Sequence, residues 1–260
     1  MVIVVCVKQI PVASKLKIDP KSKNLVRDHA EGMMNLFDRH AIEAALTIKE
    51  QTNGNVIAIS MGPEQFGDTL REAIALGCDD AFLLSSRAFA GADTLATAYV
   101  LARAIEKLAP VALVLFGRHA LDTDTGQVGP LVAEFLNLPQ VTLAQKIILL
   151  DGEQIQVERL VDNYLETVQV KLPAVVTVTS KLNFPRYASP LRIMGAAGMD
   201  IVTWDEKALL CDADRIGIKG SPTVVTDVFM SAKPDVTAQL LSSDPSTAGR
   251  EIASILKAII

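Results

Sequence analysis

Residues 111–136 read VALVLFGRHALDTDTGQVGPLVAEFL. Val111–Phe116 make a short, continuous apolar run, the mark of a strand covered on both faces. The next fourteen residues, Gly117–Pro130, hold three glycines, two aspartates, two threonines and an arginine. Then LVAEFL resumes a helical pattern. Strand, polar loop, helix is the repeating unit of a doubly wound α/β sheet. So many small, hydrogen-bonding residues after a buried strand suggest backbone that must approach something anionic.

The unit recurs upstream. VIVVCV (2–7), NVIAISM (55–61) and DDAFLLS (79–85) are further short apolar runs. Between them lie the helical patterns DRHAIEAALTIKEQ, QFGDTLREAIALG and DTLATAYVLARAIEKL, so a mostly parallel sheet is expected. LKIDPKSKNLVRD (16–28) interrupts the order and reads as a small inserted hairpin turning on Asp-Pro-Lys-Ser. From about 141 the period changes. KIILLDGEQIQVERL places Asp-Gly between alternating runs, and LETVQVKLPAVVTVT adds more strand, so 141–180 reads as an added antiparallel block. NFPRYASPLRIMGAAGMD (183–200) carries too many Pro and Gly for regular structure and reads as a long excursion. The expected division is an α/β domain over 1–205 and an extended C-terminal arm over 206–260. The arm is turn-rich and ends in a helix, DPSTAGREIASILKAII (244–260), capped by Ser246 or Thr247 with Ile252, Ile255, Leu256 and Ile259 on its apolar face.

Composition excludes several classes. Half of the 260 residues are apolar, yet no run approaches the length of a membrane span. A net charge of −5 argues against nucleic acid as a partner. Cys6, Cys78 and Cys211 are odd in number and widely spaced, giving neither a disulfide framework nor a metal or cluster motif. The histidines His29, His40 and His119 lack metal-ligand spacing, so no metal site is expected. MVIVVCVK opens an apolar strand with no basic leader segment, and a cytoplasmic protein is expected.

In a doubly wound sheet, ligands lie across the carboxyl ends of the strands, where loops lead into helix N-termini. The unusual ends here are Cys6-Val7-Lys8, the MMNLFD segment with Asn35 to Asp38, Ser60-Met61-Gly62-Pro63, and Gly117–Pro130. A further segment, AGADTLATA (90–98), opens a helix at Asp93 and Thr94, with Thr97 on its first turn. Free N–H groups and a positive dipole end let such helix starts hold phosphates without a lysine. With TGQVG (125–129) there are two candidate starts, which would suit a pyrophosphate. Neither the glycine fingerprint of dinucleotide folds nor a P-loop nor a nucleophile elbow is present. An ATP-hydrolysing protein would need a triphosphate loop and a magnesium carboxylate; Asp122 and Asp124 alone answer to that.

Together VVCVKQIP (4–11), MMNLFD (33–38), AISMGP (58–63), GRHALDTDTGQVGP (117–130), LPQVT (138–142), VERLVDNYLETVQVKLPAVVTVT (157–179) and LNFPRYASPLRIM (182–194) resemble the β subunit of electron-transfer flavoproteins along essentially the whole chain. Asn163 departs from the signature, which usually has Gly or Asp there; Asn also tolerates a turn. The resemblance implies an adenine-nucleotide-binding α/β fold paired with an α subunit that holds FAD. In ordinary members the β subunit binds AMP, and the matching positions are Cys6, Asn35 to Asp38, Met61 and Gly117 to Val128. Within that loop the expected cofactor-binding residues are Gly117, Arg118, His119, Asp122, Thr123, Asp124, Thr125, Gly126, Gln127, Val128 and Gly129, joined by Lys8, Gly62, Asp93, Thr94 and Thr97. GADTLATA (91–98) is similar to the NADH-dependent, electron-bifurcating members, whose β subunit holds a whole FAD. That implies hydride from NADH, one electron to ferredoxin, and one through the α-subunit FAD to an acyl-CoA or other dehydrogenase. Such a chain is no stand-alone enzyme, and no residue of it is assigned as catalytic. The 183–200 segment resembles the family's partner-recognition loop, with Leu191 or Met194 as apolar anchor, but GAAGMD replaces its lysine-rich end. A dedicated partner is expected in place of generic charge steering.

Overall fold

The computed structural model describes residues 1–12, 17–18, 25–26, 32–226 and 240–259. They fall into two units, Met1–Thr226 and Asp227–Ile260.

The first unit opens with β1 (Val2–Cys6), whose continuous apolar sequence is buried on both faces. A short ribbon of β2 (Gln9–Pro11) and β5 (Gly32–Met34) follows, and a second ribbon pairs β3 (Lys17–Ile18) with β4 (Leu25–Val26). The expected hairpin therefore exists, while its Asp-Pro-Lys-Ser turn lies outside the described residues. Four strand–helix alternations come next: α1 (Leu36–Thr52), β6 (Asn55–Met61), α2 (Gly67–Leu76), β7 (Asp80–Leu84), α3 (Thr94–Leu108), β8 (Leu113–Gly117) and α4 (Val128–Phe135). Then β9 (Gln140–Leu150), β10 (Gln154–Val161), β11 (Tyr164–Lys171), β12 (Ala174–Val178), α5 (Pro190–Ala197) and β13 (Val202–Trp204) complete the unit.

One nine-stranded sheet results, in the order β11-β10-β9-β12-β8-β1-β6-β7-β13. β1 pairs in parallel with β6 on one side and β8 on the other. The chain thus winds outward from β1 through β6 and β7, then returns to β8 beside β1, making the β1–β8 boundary the topological switch point. Ile3, Val5, Val56, Ala58 and Leu115 pack with α1 and α2 in one core layer. Val4, Ile57, Ile59, Val114 and Phe116 pack with α3 and α4 in the other. Alternate residues of each strand serve opposite layers, which is why these strands are apolar throughout.

The block after 140 departs from expectation in one respect. β9, β10 and β11 form an antiparallel meander, with the Asp151-Gly152 turn in left-handed backbone as read. β12, however, runs parallel to both β8 and β9 inside the same sheet. It is covered on both faces, so its AVVTV sequence belongs to the doubly wound core.

The 183–200 excursion is also more regular than its composition suggested. Ser189 accepts from the Arg192 N–H and Pro190 takes the first helical position, so α5 starts with a proper cap. Arg186 holds the stretch before it to α1 through Glu43 at 2.9 Å and Glu50 at 2.7 Å. Residues 206–226, read as the beginning of the arm, lie within the first unit, with Leu209 and Ile216 buried in the α3–α4 layer.

In the second unit, α6 (Pro245–Ile259) is capped by Asp244, whose carboxylate accepts from the Thr247 N–H at 2.8 Å and from the Ser246 and Thr247 hydroxyls. The cap is therefore Asp244, with Ser246 and Thr247 as its donors. Ile252, Ile255 and Leu256 are exposed on it. Among the described residues, no helix is long and apolar enough to cross a membrane.

Candidate functional site

The carboxyl ends of β1, β6 and β8 bring Cys6, Met61 and Gly117 to one edge of the sheet, because Cys6 is in register with both Ile59 and Phe116. Lys8 follows β1, Asn35 precedes α1, and the 117–129 loop leaves β8 between them. Most of the residues expected at the site thus converge at the switch point.

Asn35 and Asp38 lie beneath the loop and are almost fully buried. The Asp38 carboxylate accepts from the Lys8 N–H at 2.8 Å, the Gly117 N–H at 3.2 Å and the Asn35 amide at 2.9 Å. Asn35 also donates to the His119 carbonyl at 2.9 Å and accepts from the Leu121 N–H at 3.2 Å. Burial pushes Asp38 up to about 7 against the lowering effect of those donors. Burial first, and then the Asp38 charge, pushes the Cys6 thiol well above its usual range, so Cys6 is a neutral packing group at this edge.

Over this base the loop is open. The Lys8 ammonium meets both oxygens of Asp122, at 2.7 and 2.9 Å. His119 Nδ1 lies 3.1 Å from Arg118 Nε and 2.9 Å from an Asp124 oxygen; it accepts from Arg118 in the Nε2–H tautomer and donates to Asp124 when Nδ1 carries the proton. Phe37 underlies both, 4.7 Å from the His119 ring and 5.5 Å from the Arg118 guanidinium. Residues 121–127 are exposed, with Asp124 and Gly126 in left-handed backbone at φ 50° and 62°. Gln127 precedes α4 without capping it by its side chain. The first N–H groups of a helix have no partner within it, and no side-chain cap at Gln127 serves those of Val128 and Gly129, the latter itself buried. A side chain on Gly129 would sit 2.8 Å from the Thr177 methyl, and one on Gly117 2.4 Å from Asp38, so backbone is tightly packed here.

The α3 start is different. Asp93 caps it, accepting from the N–H groups of Leu95 at 2.9 Å and Ala96 at 3.1 Å. Its other oxygen accepts from the Thr223 N–H at 3.1 Å, while its own N–H goes to Ser221 at 2.8 Å. Burial works against the charge, but the N–H donors of Ala96, Thr223 and Leu95 outweigh it and hold Asp93 below the ordinary carboxylate value. The two starts nevertheless meet, since the Thr94 hydroxyl donates to the Gln127 side chain at 2.9 Å. Thr97 lies one turn further along α3.

Gly62 packs against Phe66 so closely that a β-carbon would lie 2.3 Å from the ring. Leu191 and Met194, 82% and 74% exposed, stand on α5 and are not part of this cluster. Sequence reading missed Ser221 and Thr223, because their partner Asp93 is about 130 residues away in the chain and no local pattern marks the pairing.

Fold and site define a doubly wound α/β protein whose polar loops gather at the β1–β8 switch point, with a helix start that no side chain caps on one side. A family model described as "Electron transfer flavoprotein domain" matches residues 23–209. The chain is 42% identical over 225 residues to electron transfer flavoprotein subunit beta of Clostridium acetobutylicum, covering 86% of both chains. It is 42% identical over 235 residues to the caffeyl-CoA reductase–Etf complex subunit CarD of Acetobacterium woodii, covering 90% of this chain and 88% of that one. It is 37% identical over 265 residues to protein FixA of Azorhizobium caulinodans, covering 99% and 94%. This chain belongs to the electron transfer flavoprotein family, among its β subunits.

Proposed function

We propose that this chain is the β subunit of an electron-bifurcating electron transfer flavoprotein, holding FAD between the 117–129 loop and the α3 start. The observation that carries the reading is the meeting of two helix starts through Thr94 and Gln127 at the carboxyl edge of the sheet. The donor set fits a phosphate ester: N–H groups at Val128 and Gly129 that no side chain caps, a left-handed Gly126, and the hydroxyls of Thr94, Thr97, Thr123 and Thr125. When bound, FAD supplies chemistry that no side chain here has: it takes hydride from NADH and releases single electrons, one to a low-potential acceptor such as ferredoxin and one to the α-subunit FAD. The chain's residues bind and orient. Asp38 and Asn35 shape the loop, Gly117 lets it pass Phe37, and Arg118, His119, Asp122 and Asp124 form its polar rim. The Cys6 thiol, held neutral, offers a small apolar contact.

The α subunit and a dehydrogenase are the proposed partners, met in the cytoplasm. The exposed apolar residues of α6 suit the α subunit, and Leu191 and Met194 on α5 suit the dehydrogenase. A subunit of a caffeyl-CoA reductase–Etf complex among the relatives supports a dedicated partner.

One observation favours the alternative, an electron carrier with structural AMP. The α3 N–H groups of Leu95 and Ala96 are already spent on Asp93, which suits a ligand with a single phosphate. Flavin and AMP content of the co-purified αβ pair separates the two. Two flavins per pair, bleached by NADH, are expected; one flavin plus one AMP, without a reaction with NADH, establishes the carrier instead.

A further inference from the structure

Asn35 and Asp38 sit where the resemblance implies contact with an adenosine, yet both amide hydrogens of Asn35 and both carboxylate oxygens of Asp38 are already engaged by the fold. Asn35 has two amide hydrogens and both are donated, one to Asp38 at 2.9 Å and one to the His119 carbonyl at 2.9 Å. Its carbonyl accepts from Leu121. Asp38 has one oxygen on Asn35 and Gly117 and the other on Lys8. The two residues are 1% and 5% exposed. We propose that Asn35 and Asp38 are positioning residues, a buried amide–carboxylate pair that presets the 117–121 backbone before any nucleotide arrives. This rests on the reading of 117–129 as the nucleotide loop.

The anchoring has a consistent geometry. The pair grips the loop at alternate residues: the Gly117 N–H, the His119 carbonyl and the Leu121 N–H. After Leu121 the chain turns on itself, with the Thr123 and Asp124 N–H groups both donating to the Ala120 carbonyl. The left-handed residues Asp124 and Gly126 then deliver Val128 and Gly129 to the α4 start. The first half of the loop is fixed to the fold, and the second half leads into the α4 start, which no side chain caps. Only glycine fits at 117, where a β-carbon would lie 2.4 Å from Asp38 and 2.7 Å from Phe37. A buried carboxylate is tolerated because three N–H donors surround it, and those donors are what align the loop.

Substitution tests this without a change of volume. Asn35→Asp turns an acceptor toward the His119 carbonyl and Asp38. Asp38→Asn turns an amide N–H toward one of three N–H donors. In the co-purified αβ complex, stripped of nucleotide and titrated with AMP and with FAD, each variant is expected to bind about ten- to a hundredfold more weakly, the scale of a charge-assisted hydrogen bond. Saturating nucleotide restores full occupancy. Amide exchange of the stripped wild-type complex should show Gly117 and Leu121 already protected, and this measurement depends on neither variant folding. A pH profile adds a readout that packing alone would not move. The titratable groups about Asp38 are Cys6 and Lys8 from the end of β1 and His119, Asp122 and Asp124 from the loop. With burial holding Asp38 at about 7, wild-type nucleotide affinity falls as pH drops through that value, and Asp38→Asn abolishes the step. Gly117 and Leu121 amides protected only after nucleotide is added would make the pair ligand contacts and overturn the proposal. So would variants that bind as tightly as wild type. A wild-type complex that takes neither AMP nor FAD overturns the nucleotide reading itself, and the proposal falls with it whatever the amides show.

Discussion

Two helices begin within one hydrogen bond of each other, and they begin in opposite ways. At α3 a carboxylate has already filled the positive end: Asp93 takes the Leu95 and Ala96 N–H groups and ties itself to Thr223. At α4 no side chain caps the start, Pro130 removes a further donor, and the left-handed Gly126 exposes the backbone. Both stretches read alike in sequence, small residues with Thr and Asp ahead of an apolar helix. What separates them is whether the donors are spent. An N-terminus holds an external anion only if the fold has not supplied an internal one.

The largest expected effect breaks the open start. Gly126→Val forces a β-branched residue to φ 62° and a β-carbon to 3.3 Å from the Arg118 carbonyl. The turn that presents Val128 and Gly129 should be lost, with each forfeited charge-assisted hydrogen bond worth about 1.5–3 kcal/mol. Nucleotide content measured after gel filtration of the αβ pair should fall to background while the circular dichroism of the pair is kept. Full occupancy in this variant would remove α4 from the site.

Asp93→Ala attacks the closed start and should act with the opposite sign. Losing the cap costs the fold about 1 kcal/mol, seen as a lower Tm. The same change frees the Leu95 and Ala96 N–H groups and removes a negative charge from the groove. Nucleotide affinity should hold or rise. A loss as deep as that of Gly126→Val would show that the two starts are equivalent after all.

How much of this contrast was legible beforehand depends on range. The runs 2–7, 55–61, 79–85 and 111–116 became β1, β6, β7 and β8, because a strand buried on both faces must be apolar throughout. Asp151-Gly152 and Asp244 act within a few residues of themselves, although Ser246 and Thr247 are cap residues by type as much as Asp244 is. Ser189-Pro190 was an equally local helix-start signal, outweighed by the count of Pro and Gly around it. β12 could not be oriented from AVVTV, since parallel and antiparallel partners ask for the same apolar run when both faces are covered. The Asp93–Ser221–Thr223 contacts lay furthest out of reach. Segment 209–221 is seated on the α3 layer by Leu209, Ile216 and the Arg215 guanidinium 4.1 Å over the Tyr99 ring, and only the folded chain brings Thr223 to Asp93.

Acid sharpens the comparison more gently, since the carboxylates serving the two starts are shifted in opposite directions. Asp38, under the α4 loop, is raised from 3.8 to about 7. The folded chain therefore binds its proton where the unfolded chain has lost it. Its contribution to stability is fully present below 3.8 and is lost as pH rises through about 7. Asp93 is held below the ordinary value, so its contribution is present above that value and is lost only as pH falls through its lower folded value. Urea unfolding between pH 5 and 8 should give Asp38→Asn a flatter stability profile than wild type, while Asp93→Asn leaves the shape of the profile unchanged. An unaltered slope in Asp38→Asn would mean that the buried carboxylate does not titrate in this range.

The smallest energetic effect is the one that decides the ligand. Thr94→Val keeps the shape of the α3 start and deletes the hydroxyl that joins it to Gln127 at 2.9 Å. An exposed, neutral hydrogen bond of this kind is worth about 0.5–1.5 kcal/mol, so the fold should barely register its loss. The two nucleotides should register it differently. AMP has one phosphate, for which the open α4 start suffices. FAD has two, and with Asp93 holding the Leu95 and Ala96 N–H groups, the second phosphate depends on the Thr94 and Thr97 hydroxyls. Dissociation constants for both ligands, measured on the same stripped αβ complex, should show FAD weakened by about tenfold and AMP unchanged. Equal, small losses for both would leave Thr94 a bridge between two helices and nothing more, and the carrier reading with AMP would then be the better account of the site.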